Sequence, residues 1–92
     1  IVSQSIKSLC IRHTKVNDNS IKNITKMCPN LRILDLSWCT ELGKDFVNYI
    51  SEANYDKMFA LNLWGIKTIT DNDVRTICKS CTSLTSLTLC DC

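Results

Sequence analysis

Apolar residues along this chain fall into one short figure, apolar-x-x-apolar-x-apolar. It returns as Ile6/Leu9/Ile11, Leu31/Leu34/Leu36, Met58/Leu61/Leu63 and Leu84/Leu87/Leu89, with successive copies starting 25, 27 and 26 residues apart. The last two apolar positions of each copy are two residues apart, which places them on one side of a strand. A little further on comes Thr14, Cys39, Ile66 or Cys92, and then Val16, Leu42 or Ile69. The triplets Ile21/Ile24/Cys28, Val47/Ile50/Asn54 and Val74/Ile77/Cys81 follow, spaced as one face of a helix.

Each unit therefore predicts a short strand, a turn and a helix returning antiparallel to the strand. Helix starts are marked as well. Thr70 is expected as an N-cap, with Asp73 three residues on completing a capping box. Asn17 and Gly43 occupy the matching positions, and both residue types serve as N-caps. Pro29 disfavours helix at Cys28 and should end the first one. A single unit cannot bury its own apolar side, but stacked units can, with a parallel sheet inside an arc and helices outside. The expected organisation is one domain over residues 1–92, with repeats at about 6–30, 31–57 and 58–83 and a partial repeat at 84–92.

These motifs resemble the leucine-rich repeat, in its cysteine-containing subtype. The segments "LDLSWC" (34–39), "TITDNDV" (68–74), "MCPNL" (27–31) and "CTSL" (81–84) match that pattern. Repeat two departs from it, with "ELGKD" in place of "ITD" and Asn54/Tyr55 where a Cys is expected. The resemblance implies an α/β right-handed solenoid, with a parallel sheet on the concave face and helices on the convex face. It also implies a role in F-box-type adaptors that select substrates for ubiquitin ligases, although no F-box helices are visible here. The alternative is a structural or assembly subunit, possibly organellar, docking through the solenoid ends.

Composition narrows the function classes. Hydrophobic residues make up 45% and charged residues 22% of the 92, ordinary for a folded domain. The net charge is only +2 and no block of like charge occurs, which argues against nucleic acid or a membrane surface as partner. No apolar run approaches the ~20 residues of a membrane span, and no signal peptide is visible. Seven cysteines are an odd count, and two Gly and one Pro are few for a disulfide-stapled mini-protein. Free, buried thiols in a reducing compartment are the expectation, with the chain cytoplasmic or nuclear.

Cys78, Cys81, Cys90 and Cys92 have a spacing reminiscent of a zinc set. The repeat explains Cys81 and Cys92, whose equivalent places Cys28 and Cys39 hold without a CxxC partner, and it puts Cys78 on a helix and Cys90 on the sheet face, on different sides of the layer. A redox CxxC belongs at a helix N-terminus, whereas this one falls at a predicted C-terminus. His13 is the one histidine, with Cys10 nearby but no orienting third group, so nucleophilic catalysis is not expected. Asp71 and Asp73 are explained by the helix start. The reading is a binding protein without catalytic residues, metal or cofactor.

The sheet's free face carries the candidate site. Alternation assembles four rows: Ser8/Ile33/Ala60/Ser86, Cys10/Asp35/Asn62/Thr88, Arg12/Ser37/Trp64/Cys90 and His13/Trp38/Gly65/Asp91. Trp38 and Trp64 become diagonal neighbours, flanked by Arg12, His13, Asp35 and Asn62. Exposed Trp and Arg on a rigid sheet are the usual components of a protein-binding hot spot. The competing reading is that a tryptophan simply covers the neighbouring strand. The outermost strands are expected to be uncapped, which favours self-association.

Overall fold

The computed structural model describes residues 2–89. Strands and helices alternate along the chain. They are β1 (Ser8–Cys10), α1 (Asp18–Met27), β2 (Ile33–Asp35), α2 (Phe46–Glu52), β3 (Ala60–Leu63), α3 (Asp71–Ser80) and β4 (Ser86–Leu89). The four strands form one parallel sheet in sequence order. The helices form a second layer, α1 packing on α2 and α2 on α3. The fold class is α/β.

The register follows the repeat. Ser8, Ile33, Ala60 and Ser86 are aligned across the sheet, as are Cys10, Asp35, Asn62 and Thr88. Between the layers lie Leu34, Leu36, Leu61 and Leu63 from the strands and turns, against Ile21, Val47, Ile50 and Ile77 from the helices, all buried. Fully burying an aliphatic side chain of this size contributes about 1.5–3 kcal/mol. The other face of the sheet is not covered by the helices.

Helices α1 and α3 start on their own signals. The Asn17 and Thr70 side chains each accept a bond from the amide three residues on, and the Ser20 and Asp73 side chains in turn accept from the cap amide. The expected cap at Gly43 is not there. Helix α2 starts later, after Asp45, with no side-chain cap of its own. The reason is cross-repeat: Asp18 Oδ1 accepts from the Gly43 amide at 2.8 Å, and Oδ2 from the Asp45 amide at 2.9 Å. On the opposite side Thr68 Oγ1 donates to the Gly43 carbonyl at 2.9 Å. Neighbouring repeats thus take up the backbone groups of this segment before the helix begins, and α2 is shortened to seven residues.

The third position of the middle triplet also differs. Asn54 is exposed, lies just past α2 and has φ 53°, a left-handed helix end. Tyr55 takes the core place instead. It is 2% exposed, and its hydroxyl donates to the Cys28 carbonyl at 2.7 Å. Burial, then the nearby Cys28 and Cys81, hold the phenol well above its ordinary range. Cys28 and Cys81 are buried C-caps of α1 and α3, so a tyrosine bridges the gap between two cysteines in the same layer.

Candidate functional site

The site is built from the turns that leave the strands. In the second, the Cys39 amide donates to the Leu36 carbonyl at 3.1 Å; in the third, the Ile66 amide donates to Leu63 at 3.2 Å. In the first, the Thr14 hydroxyl closes on the Ile11 carbonyl at 2.7 Å. The third residue of each turn is left-handed: His13 at φ 59°, Trp38 at 61° and Gly65 at 82°. Glycine tolerates that conformation, whereas a side chain there costs about 1–2 kcal/mol. Cys39 follows the turn at a buried position that Ile66 fills in the third, and its thiol also donates to the Ile11 carbonyl at 3.1 Å.

The ladder continues past the strands into these turns. The His13 amide reaches the Ser37 carbonyl at 3.0 Å, and the Trp38 amide reaches Trp64 at 2.7 Å. His13 and Trp38 are thereby set side by side, with rings stacked at 6.1 Å and 15°. Beyond Trp38 the stack ends on backbone. A Cβ on Gly65 would lie 2.5 Å from Trp38 Cε3, so the indole lies directly over the glycine.

Trp64 is held differently. Asn62 Oδ1 accepts from the Trp64 amide at 2.9 Å, fixing the residue as it leaves β3. Among the described residues its ring stacks on no aromatic partner. Asp35 makes the same bond one strand over, accepting from the Ser37 amide at 2.9 Å. Burial works to raise the Asp35 pKa. Bonding from Ser37, the Arg12 charge and the Cys10 thiol outweigh it and bring the carboxyl below its usual value.

Of the six expected site residues, His13 stacks on Trp38 and Asn62 braces Trp64, while Arg12 acts on Asp35 through its charge, with no ion pair within 4.0 Å between them among the described residues. The two indoles do not stack on each other. Asp35 and Asn62 each use one oxygen to brace the turn. Ser37, expected on the free face, is instead 2% exposed, and its Oγ forms no well-aligned hydrogen bond. Cys90 and Asp91, which would complete the last two rows, lie outside the described residues, as does Cys92.

Sequence reasoning missed a groove of about 280 Å³ beside Trp38, lined in part by Thr40, Gly65, Lys67 and Thr68. Gly65 was its available signal, the one rung of its row without a side chain. Among the described residues no three His, Cys, Asp or Glu side chains are grouped for a metal. The five described cysteines are free. Cys81 caps the C-terminus of α3, where burial raises its pKa, the Ser80 bond opposes this and Cys78 adds to it. That is the wrong direction for an activated thiolate. Among the described residues no helix is long and apolar enough to cross a membrane. No protein-family model matches the chain.

Proposed function

We propose that the chain is a leucine-rich-repeat solenoid of the cysteine-containing subtype, acting as a protein–protein recognition module without catalysis. Its contact surface is the free face of the sheet and the turns above it. The observation that carries this reading is Trp64: 43% exposed, braced by Asn62 through the backbone, and without a stacking partner among the described residues. A large aromatic held rigidly at an open surface loses little entropy on binding and buries much area. The resemblance to F-box adaptors suggests the more specific role, part of a substrate-recognition subunit of a ubiquitin ligase in cytoplasm or nucleus.

The test compares proteins captured by the native chain, Trp64→Ala and Lys22→Ala, with thermal melting in parallel. The reading expects Trp64→Ala to lose the specific partner while melting normally, and Lys22→Ala to keep it. Equal capture by all three would sink it. Assembly through the sheet edge is the second reading. Leu84, Leu87 and Leu89 are only partly buried, whereas Leu34 and Leu61 are fully buried. Concentration-dependent self-association in sedimentation, abolished by Leu87→Lys, would favour it.

A further inference from the structure

Three cations gather at the other end of the strands. Lys7 and Arg32 immediately precede β1 and β2, and the backbone locks them together. The Arg32 amide donates to the Lys7 carbonyl at 2.7 Å, and the Ile33 amide donates to the same oxygen at 3.1 Å. Neighbouring strands lie about 4.8 Å apart. Like charges thus stand at matched register on adjacent strands, which is unfavourable unless something compensates. Lys57 joins them from the segment ahead of β3. Together with Asn30 and Asp56 these residues line a cleft of about 360 Å³.

The cleft's neutral polar groups are already engaged. Asn30 Nδ2 donates to the Gln4 carbonyl and to Gln4 Oε1, both at 2.9 Å. The Tyr55 hydroxyl is bound to Cys28. Asp56 is the lone carboxylate among the lining residues described. Among the described residues no ion pair within 4.0 Å joins it to Lys7, Arg32 or Lys57. What remains is a polar hollow with an excess of two positive charges, as large as the net charge of the whole chain.

We infer that this cleft at the N-terminal ends of β1–β3 binds a phosphate-type oxyanion, carried on a phosphorylated side chain of a protein partner. A phosphoryl group holds about −1.5 to −2 charges at neutral pH, which matches the excess. The planar Arg32 guanidinium offers two parallel donors to such a group, and the lysines add point charge. The hollow is larger than one phosphate group, leaving room for part of the segment that bears it. The anion's source rests on the protein-recognition reading above; the oxyanion site itself does not. The tryptophans follow the C-terminal ends of the strands, so the two contacts lie at opposite ends of the strands.

Titration of the 15N-labelled chain with sodium phosphate, against sodium chloride at matched ionic strength, reads the site directly. The expected result is saturable amide shifts at Lys7, Arg32, Ile33 and Lys57, with affinity lowered about tenfold in Arg32→Gln. Shifts no larger than those with chloride, or shifts indifferent to Arg32→Gln, overturn the site. Lys57→Gln, at an exposed residue, serves as the variant if Arg32→Gln fails to melt cooperatively. A phosphoserine peptide with otherwise uncharged side chains then tests the source. Tighter binding than inorganic phosphate supports a protein partner; equal binding overturns that assignment and makes free phosphate the ligand. Trp64→Ala should leave the phosphate titration unchanged, so failure at the tryptophan and failure at the cleft are read separately.

Discussion

Trp38 and Trp64 are almost equally exposed, at 41% and 43%, but their surroundings differ. Trp38 occupies a left-handed position, lies between the His13 ring and the Gly65 backbone, and helps to bind three turns into one edge. Trp64 comes one residue earlier in its own turn, braced through its amide while its ring stacks on no aromatic group among the described residues. Equal exposure therefore conceals unequal availability. Trp38 is already engaged in packing, whereas Trp64 is the ring that the proposed function assigns to a partner.

The strongest way to break this contrast is Gly65→Ala. The new Cβ would meet the Trp38 ring at 2.5 Å and would sit at φ 82°, combining overpacking with backbone strain. A loss of about 2–4 kcal/mol in stability is expected from chemical denaturation. An unchanged midpoint would mean that Trp38 does not rest on the glycine. Next in size, Trp64→Ala should weaken partner binding by about 2 kcal/mol, or ~30-fold. Its stability should move by no more than about 0.5 kcal/mol.

Trp38→Ala should show the reverse balance, with about 1–2 kcal/mol lost from stability as the stack is removed. Trp38→Gly sharpens this, because it removes the same ring but also relieves the left-handed strain. It should be about 1 kcal/mol more stable than Trp38→Ala. The opposite order in thermal melting would remove strain from the account. His13→Ala takes away only the outer ring of the stack, so about 0.5–1 kcal/mol is expected.

The smallest effect belongs to Asp35. Its carboxyl titrates below the ordinary 3.8 in the folded state, so the stabilisation it gives is present above that value. It is lost as pH falls through the lower folded value. Asp35→Asn keeps an acceptor for the Ser37 amide, as Asn62 does for Trp64. It should leave neutral-pH melting nearly unchanged and flatten the loss of stability below about pH 4. Identical acid profiles for the two proteins would show that Asp35 does not contribute.

Much of the site was legible in sequence because strand register is a matter of counting. Aligning the leucines put His13, Trp38 and Gly65 in one row, and the structure gives that row one shared backbone conformation. Which indole is covered was not legible, since that depends on ring direction beyond a turn. Ser37 shows the same limit. Alternation places it on the free face, but the chain is already turning there and the residue is buried. The cations of Lys7, Arg32 and Lys57 went unnoticed because they are scattered through the chain and meet only when the strands align.

What the sequence determined by itself was local and periodic. The leucine spacing specifies strands and helix faces, and the capping boxes at Asn17 and Thr70 start α1 and α3 from within their own segments. What the tertiary structure decided was wherever one repeat completes another. Asp18 holds the entry to α2, Tyr55 fills a cysteine's place by reaching the Cys28 carbonyl, and Gly65 makes room for Trp38. Each of these joins residues about one repeat apart. The physical reason is that hydrogen bonding and close packing act over a few ångströms in space, and only stacking brings such residues within that range.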